Sequence, residues 1–93
     1  MSRTASAVVT IANRLGLHAR PATLFVETAS NSRSQVTVRR CDQEDPVDGK
    51  SIMEMLMLAA TQGTRIEITA VGSDADKAVR ALVRLVEGGF DEE

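Results

Sequence analysis

The residues with the clearest chemical potential lie in one heptapeptide, Gly-Leu-His-Ala-Arg-Pro-Ala at residues 16–22, which contains the single histidine of the chain, His18. A neutral imidazole has a nitrogen lone pair that can attack an electrophile, and the guanidinium of Arg20 suits phosphate oxygens. Pro21 fits the first turn of a helix, where its missing N–H removes no hydrogen bond. The pattern predicts a nucleophilic histidine at a helix start, beside a binding site for an anion.

A helix that begins just after His18 supplies the groups that bind this anion. The first N–H groups of a helix have no partner within the helix, and the helix dipole favours negative charge at that end. A phosphoryl group on His18 would therefore meet these N–H groups and the side chain of Arg20. Spacing alone leaves a plainer interpretation open, in which His18 caps the helix and Arg20 extends into solvent.

The spacing of apolar residues predicts the elements that position this site. Apolar residues recur at every second position over residues 7–11, 35–39 and 65–71, which is the period of a strand with at least one buried face. Over residues 19–30 the apolar residues recur at intervals of three and four, as on one face of a helix. Turn residues between 42 and 48 predict that the second strand returns as a hairpin.

Two more helices are predicted in the second half of the chain. Residues 51–60 are apolar on almost every side, and their Met and Leu content favours a helix. A further helix is predicted from Ser73, with Asp76 at capping-box spacing, and Gly88 ends it. The acidic residues 91–93 are expected to form a solvated tail.

The order β-α-β-β-α-β-α defines the expected fold class. It predicts an α+β domain in which three helices cover one face of a small, four-stranded antiparallel sheet. A chain of 93 residues has room for one hydrophobic core, so a single domain over residues 1–93 is expected.

The composition argues against several classes of function. There is no Trp or Tyr to stack bases, and a net charge of −2 does not suit a phosphate backbone, so nucleic acid is not an expected partner. One histidine and one cysteine, Cys41, are too few for a usual zinc site, and neither a metal nor a cofactor is expected. The lone cysteine and the absence of a long apolar run predict a cytoplasmic protein without membrane insertion.

The heptapeptide around His18 resembles the active-site motif of the HPr family, the histidine-containing phosphocarrier proteins of the phosphoenolpyruvate-dependent phosphotransferase system. Gly-Lys-Ser-Ile-Met at residues 49–53 resembles the second signature of that family, at the start of its second helix. Ala-Thr-Gln-Gly-Thr at residues 60–64, followed by a strand, resembles the third. The three motifs occur in the order of the family and span most of the chain.

The resemblance implies an open-faced β-sandwich, in which three helices cover one side of four strands. It implies that the phosphorylated form of Enzyme I phosphorylates His18 on Nδ1 and that a IIA-type domain then accepts the phosphoryl group. Arg20 would orient and stabilise that group, and Pro21 would shape the helix start. Such a carrier is a substrate of its partner enzymes, not an enzyme itself.

Ser51 has two compatible interpretations. Glu54 follows it at capping-box spacing, so the residues predict that Ser51 is the N-cap of the second helix. The resemblance implies in addition that HPr kinase/phosphorylase phosphorylates Ser51 as a regulatory mark. A phosphate at a helix start is compatible with the fold, so both roles can coexist.

The second helix has two apolar stripes, and a surface helix over a sheet buries only one. The resemblance implies that Met55, Leu58 and Ala59 face the core, and that the other stripe is exposed beside His18. Flexible Met side chains on such a stripe suit a surface that docks more than one partner. The predicted docking residues are Pro21, Ile52, Met53 and Leu56.

Two alternatives to phosphotransfer remain open from the sequence. A ferredoxin-like regulatory or ligand-binding domain has a similar element order, although a Cys-x-x-Cys pair and paired aromatic residues are missing. A member of the resembled family that acts only as a regulator is the other alternative, against which the intact His18 and Arg20 argue. We expect a monomer, and the sequence does not distinguish sugar uptake from a nitrogen-related or purely regulatory relay.

Overall fold

The computed structural model describes residues 3–92 and contains four strands and three α-helices in the order β-α-β-β-α-β-α. The strands are β1 (Arg3–Thr10), β2 (Gln35–Arg40), β3 (Val47–Asp48) and β4 (Arg65–Gly72). The helices are α1 (Ala19–Ser30), α2 (Ile52–Met57) and α3 (Ala75–Glu87), and a short 3-10 turn, Gly89–Asp91, follows α3. The predicted element order is confirmed.

The strands form one antiparallel sheet in the order β1-β4-β2-β3. β1 pairs with β4 over its whole length, from Arg3 opposite Gly72 to Thr10 opposite Arg65. β3 pairs with β2 through only two residues, because the turn from Cys41 to Pro46 takes up most of the returning chain. The sheet confirms the predicted α+β class, including the hairpin.

The helices cover one face of this sheet and enclose the core. Alternate strand residues such as Val9 and Ile68 are buried, whereas Val8 on the opposite face is 46% exposed. This is the period of two that the sequence predicted. The largest fully buried side chains include Phe25, Phe90, Ile11, Met55, Ile66, Ile68 and Leu82.

The second helix is shorter than predicted. It ends at Met57, and Ala59 adopts a left-handed conformation with φ of 54°, which a helix cannot contain. Arg40 donates hydrogen bonds to the carbonyl oxygens of Leu58 at 3.4 Å and Ala59 at 3.2 Å, which satisfies groups left open at the helix end. Met55 and Leu58 are buried as predicted, but Ala59 is exposed, so its placement in the core was wrong.

The third helix begins after Asp74, not at Ser73. The Asp74 carboxylate makes no cap hydrogen bond and instead accepts from the backbone N–H of Arg33, at 2.9 Å, and from the hydroxyl of Ser34. The predicted capping role of Ser73 was therefore wrong, because Asp74 ties the helix start to the turn between α1 and β2. The predicted end at Gly88 is confirmed.

The acidic segment after α3 is not a solvated tail. Phe90 is fully buried, and this anchor turns the chain so that the half-buried Glu92 contacts His18. The prediction was therefore wrong for Glu92, while Asp91 is exposed and Glu93 lies outside the described residues. Within residues 3–92, no helix has both the length and the apolar character needed to cross a membrane.

Candidate functional site

The loop between β1 and α1 is held against the segment that follows α2. The backbone N–H of Leu17 donates to the carbonyl of Ala60 at 2.8 Å, and the buried Leu17 side chain joins the core. Gly16 has φ of 70°, and a Cβ there would lie 2.6 Å from the Ala60 oxygen. The close approach and the left-handed backbone both require glycine at this position. The loop therefore presents the next residue, His18, at a defined place.

His18 is the N-cap of α1, as the sequence predicted. Its backbone is extended, with φ of −83° and ψ of −169°, and its carbonyl accepts the N–H of Ala22 at 3.0 Å. The imidazole makes no capping hydrogen bond, so the plainer role of a side-chain cap does not describe it. Its side chain is 37% exposed. The ring is therefore accessible to a partner at the positive end of the helix.

The first turn of α1 carries donors and a cation. Because Pro21 has no N–H, the donors of this turn are the backbone groups of Ala19 and Arg20. Arg20 is exposed, and its charge contributes to the field at Glu92. Pro21 is fully buried, so the expected docking role of this residue does not fit the structure. Pro21 lies in the first turn of α1, where its missing N–H removes no hydrogen bond of the helix.

Glu92 and Asn13 complete the site, and sequence reasoning missed both. The two carboxylate oxygens of Glu92, Oε2 and Oε1, lie 3.0 Å and 3.2 Å from Nε2 of His18. The Asn13 amide donates to the same carboxylate at 3.0 Å and to the carbonyl of Gly16 at 2.7 Å. Asn13 is 2% exposed, and its Oδ1 has no partner among the described residues. Asn13 thus links the loop before His18 to the segment after α3.

The Glu92 carboxyl is electrostatically tuned by these neighbours. Burial raises its pKa, but hydrogen bonds from His18 and Asn13 and the charges of His18 and Arg20 together outweigh burial. The pKa therefore lies below its usual value, and Glu92 is ionised at neutral pH. The signal in the sequence was Phe90, a large apolar residue between glycines and acidic residues, which marks a point where the chain returns to the core.

Ser51 is the N-cap of α2, as the sequence predicted. Its Oγ accepts the N–H of Glu54 at 3.2 Å, while the Glu54 carboxylate turns to the N–H of Asp48 at 3.0 Å. The serine is half-buried, and the preceding Lys50 donates from Nζ to the carbonyl of Ser32 at 3.0 Å. Residues 50 and 51 thus tie the start of α2 to the turn after α1, through Lys50, and to the hairpin end, through the N–H of Ser51 on the Asp48 carbonyl.

One face of α2 is exposed and apolar. Ile52, Met53 and Leu56 are 41%, 76% and 40% exposed, as expected for the second stripe. Met57, at 77%, belongs to the same helix, and Leu15 in the loop before His18 is 69% exposed; sequence reasoning missed these two. The hydrogen bond from Leu17 to Ala60 joins the segment after α2 to the loop that holds Leu15.

The fold and site together define a class of protein. A half-exposed histidine at a helix start, with backbone donors and a guanidinium in the first turn, is suited to carry a phosphoryl group. In the open-faced α+β fold seen here, these features describe a small phosphocarrier domain. Among residues 3–92, no group of three or more His, Cys, Asp or Glu side chains is placed to hold a metal ion.

Comparison with known proteins agrees with this class. A family model described as "PTS HPr component phosphorylation site" matches residues 5–88. The chain is 48% identical to Phosphocarrier protein HPr of Neisseria meningitidis and 49% identical to that of Pseudomonas aeruginosa, covering 90% of this chain and 92% of the relative in both cases. The crystal structure of HPr-C-His from Thermoanaerobacter tengcongensis superposes with a TM-score of 0.88 at 43% identity, over 96% of this chain and 98% of that one.

The chain belongs to the HPr family of phosphocarrier proteins. It is a component of the phosphotransferase system that carries a phosphoryl group and is not itself a catalyst. The resemblance noted from three short motifs is confirmed over most of the chain.

Proposed function

We propose that His18 accepts a phosphoryl group on Nδ1 from phosphorylated Enzyme I and passes it to IIA-type domains. The observation that carries the proposal is the half-exposed imidazole of His18 at the N-terminus of α1, with Arg20 in the first turn. The Nδ1 lone pair forms a bond to phosphorus while the bond between phosphorus and the donor breaks. The electron pair of that bond stays with the donor, and transfer to an acceptor reverses these steps.

Around the nucleophile His18, the other groups of the site supply charge compensation. A phosphoryl group on His18 carries negative charge that the N–H groups of Ala19 and Arg20 and the Arg20 guanidinium can stabilise. Because the ring is also partly exposed, a partner can complete the surroundings of the phosphorus atom in the transition state. The carrier thus holds the group in a form that the next partner can take.

Incubation with Enzyme I and phosphoenolpyruvate tests this proposal. The protein should gain one acid-labile phosphate, which mass spectrometry under conditions that preserve phosphohistidine should locate on His18. His18→Ala should abolish the label and leave the fold intact, because the imidazole is partly exposed and makes no capping hydrogen bond, and loss of an N-cap side chain costs at most about 2 kcal/mol. Label that persists in this variant, or a parent protein that stays unlabelled, would contradict the proposal.

We also propose that HPr kinase/phosphorylase phosphorylates Ser51. Support comes from the motif at residues 49–53 and from the position of Ser51 as the N-cap of α2. Phosphate at Ser51 adds about two negative charges at the edge of the exposed face of α2, which would reduce productive docking for transfer at His18. The neighbouring Glu54 adds a further negative charge to this edge.

Incubation with the kinase and ATP distinguishes regulation from a plain capping role. Ser51→Ala should block the ATP-dependent label while phosphoenolpyruvate-dependent labelling of His18 continues. Ser73→Ala, at the exposed turn before α3, is the matched control and should be labelled like the parent. If the kinase leaves the parent unmodified, Ser51 serves only as an N-cap.

The exposed stripe of Ile52, Met53 and Leu56 is proposed as the surface on which Enzyme I and the acceptors dock. Its support is the exposure of these apolar side chains and the link from the segment after α2 to the loop before His18. We further propose that residues 1–93 act as one monomeric domain in the cytoplasm. The single cysteine, Cys41, is a free thiol, which suits a reducing compartment.

A further inference from the structure

The segment after α3 adopts an unusual backbone that brings one carboxylate to the imidazole of His18. Gly89, Phe90 and Asp91 all have positive φ, at 68°, 56° and 60°. Left-handed conformations are unfavourable for residues other than glycine, so packing must maintain this turn. The fully buried Phe90 side chain supplies that packing. The turn places Glu92 where an extended tail would not reach.

The contact between Glu92 and His18 is specific to one ring nitrogen. Both carboxylate oxygens lie within 3.2 Å of Nε2, and the buried Asn13 amide holds one of them from the other side. A carboxylate that is ionised can only accept hydrogen bonds. A neutral imidazole carries one proton, and its hydrogen-bond partner determines which nitrogen bears it. At this site the proton is drawn to Nε2.

We propose that Glu92 is a positioning residue for phosphoryl transfer, because it holds the His18 proton on Nε2 and leaves the lone pair on Nδ1. This inference deepens the proposed function and rests on it. Asn13 would act indirectly, because its amide donates to the Glu92 carboxylate, which in turn contacts the imidazole of His18. Neither side chain touches the phosphorus atom.

The same contact stabilises the product of transfer. When the Nδ1 lone pair bonds to phosphorus, the ring keeps its proton on Nε2 and becomes cationic, while the donor keeps the electrons of the broken bond. No proton has to move in this step. The Glu92 carboxylate next to Nε2 then faces a positive ring, and such a fixed charge stabilises the cation as it develops.

Nitrogen NMR of the imidazole tests the proposal without any partner protein. At alkaline pH, where histidine is neutral, the two ring nitrogens report the ratio of the two tautomers. The parent should have its proton on Nε2, and Glu92→Ala should shift the population toward protonated Nδ1. Glu92→Gln keeps an oxygen acceptor and should retain most of the parental ratio. Asp91→Asn, which removes a neighbouring exposed carboxylate from the same turn, is the matched control and should match the parent.

Labelling rates with Enzyme I and phosphoenolpyruvate give the second readout. Glu92→Ala should accept phosphate about tenfold more slowly, because it loses a hydrogen bond to a charged group, and Glu92→Gln should fall between it and the parent. An unchanged tautomer ratio in Glu92→Ala, an unchanged labelling rate, or an equal effect of Asp91→Asn would each overturn the inference. If the parent itself is not labelled, the proposed function fails, while the NMR ratio still decides what Glu92 does to the ring.

Discussion

At the residue scale, contacts from three parts of the chain determine the position and surroundings of His18. Gly16 and Leu17 fix the loop against Ala60, the start of α1 provides donors, and Glu92 contacts Nε2. The sequence predicted the first helical turn because the motif is local. It did not predict Glu92, because no local spacing relates position 18 to position 92 and the contact depends on where Phe90 is buried.

Arg20→Ala should retain labelling of His18 but slow it by roughly tenfold, since a charge-assisted hydrogen bond to the phosphoryl group is lost while the nucleophile remains. Rapid-quench kinetics with Enzyme I in both directions measures this change. Arg20→Lys keeps the charge without the planar guanidinium, so its labelling rate should fall between those of the parent and Arg20→Ala. Unchanged rates in Arg20→Ala would remove Arg20 from the site.

At the element scale, the faces of α2 were predicted from the sequence, whereas the end of this helix was not. Helical spacing defined two apolar stripes, and the family resemblance correctly assigned burial to Met55 and Leu58 and exposure to Met53. The end of the helix was not predicted, because Ala is a good helix former, whereas Ala59 is left-handed at a point where the distant Arg40 binds the carbonyls of Leu58 and Ala59. Helix ends depend on such tertiary contacts more than helix faces do.

Met53→Asp and Met55→Asp form a matched pair, because the same substitution falls on opposite faces of α2. Met53 is 76% exposed, so its variant should lose no more than about 0.5 kcal/mol of stability but bind Enzyme I more weakly. Met55 is fully buried, so its variant buries an unpaired charge and should lose more than about 4 kcal/mol, enough to unfold a marginal domain.

Thermal melts and titrations with Enzyme I measure the two effects. If Met53→Asp is the more destabilising variant, the two faces have been assigned in reverse. If it melts and binds like the parent, the exposed face of α2 is not where Enzyme I docks.

The Asp74 carboxylate at the start of α3 should make the stability of the fold depend on pH. The hydroxyl of Ser34 and the N–H of Arg33 hold the pKa of Asp74 below its usual value of 3.8. A carboxyl whose pKa is lower in the folded state stabilises the fold above its unfolded pKa and loses this contribution as pH falls. Asp74→Asn should therefore be less stable than the parent at pH 7, and the difference should shrink in acid below about pH 4.

Urea unfolding of both proteins at neutral and acidic pH measures this change. Asp76→Asn is the control, since its exposed pair with Arg3, at 3.3 Å, contributes little. A difference between Asp74→Asn and the parent that is constant across this range would show that the Asp74 charge does not stabilise the junction.

At the scale of the whole molecule, the sequence predicted the fold but not the side-chain contacts that join distant segments. Alternating residues such as Val9 and Ile68 predicted the strands, and the order of elements predicted an antiparallel sheet under helices. Contacts that bring distant segments together, such as Asn13 with Glu92 and Ser34 with Asp74, leave no periodic signal. These contacts tie the loop before α1 to the segment after α3, and the turn after α1 to the start of α3.

The coupling between phosphorus and nitrogen identifies the nitrogen that bears the phosphoryl group, and the signals are simple to assign because His18 is the only histidine of the chain. Protein labelled with nitrogen-15 in histidine is phosphorylated by Enzyme I and phosphoenolpyruvate, and the coupling between phosphorus and the two imidazole nitrogens is recorded. Phosphorus should couple to Nδ1, while Nε2 should keep its proton next to Glu92. Phosphorus bound to Nε2, or an imidazole that remains unmodified while phosphate appears elsewhere, would contradict the proposed transfer to Nδ1 of His18.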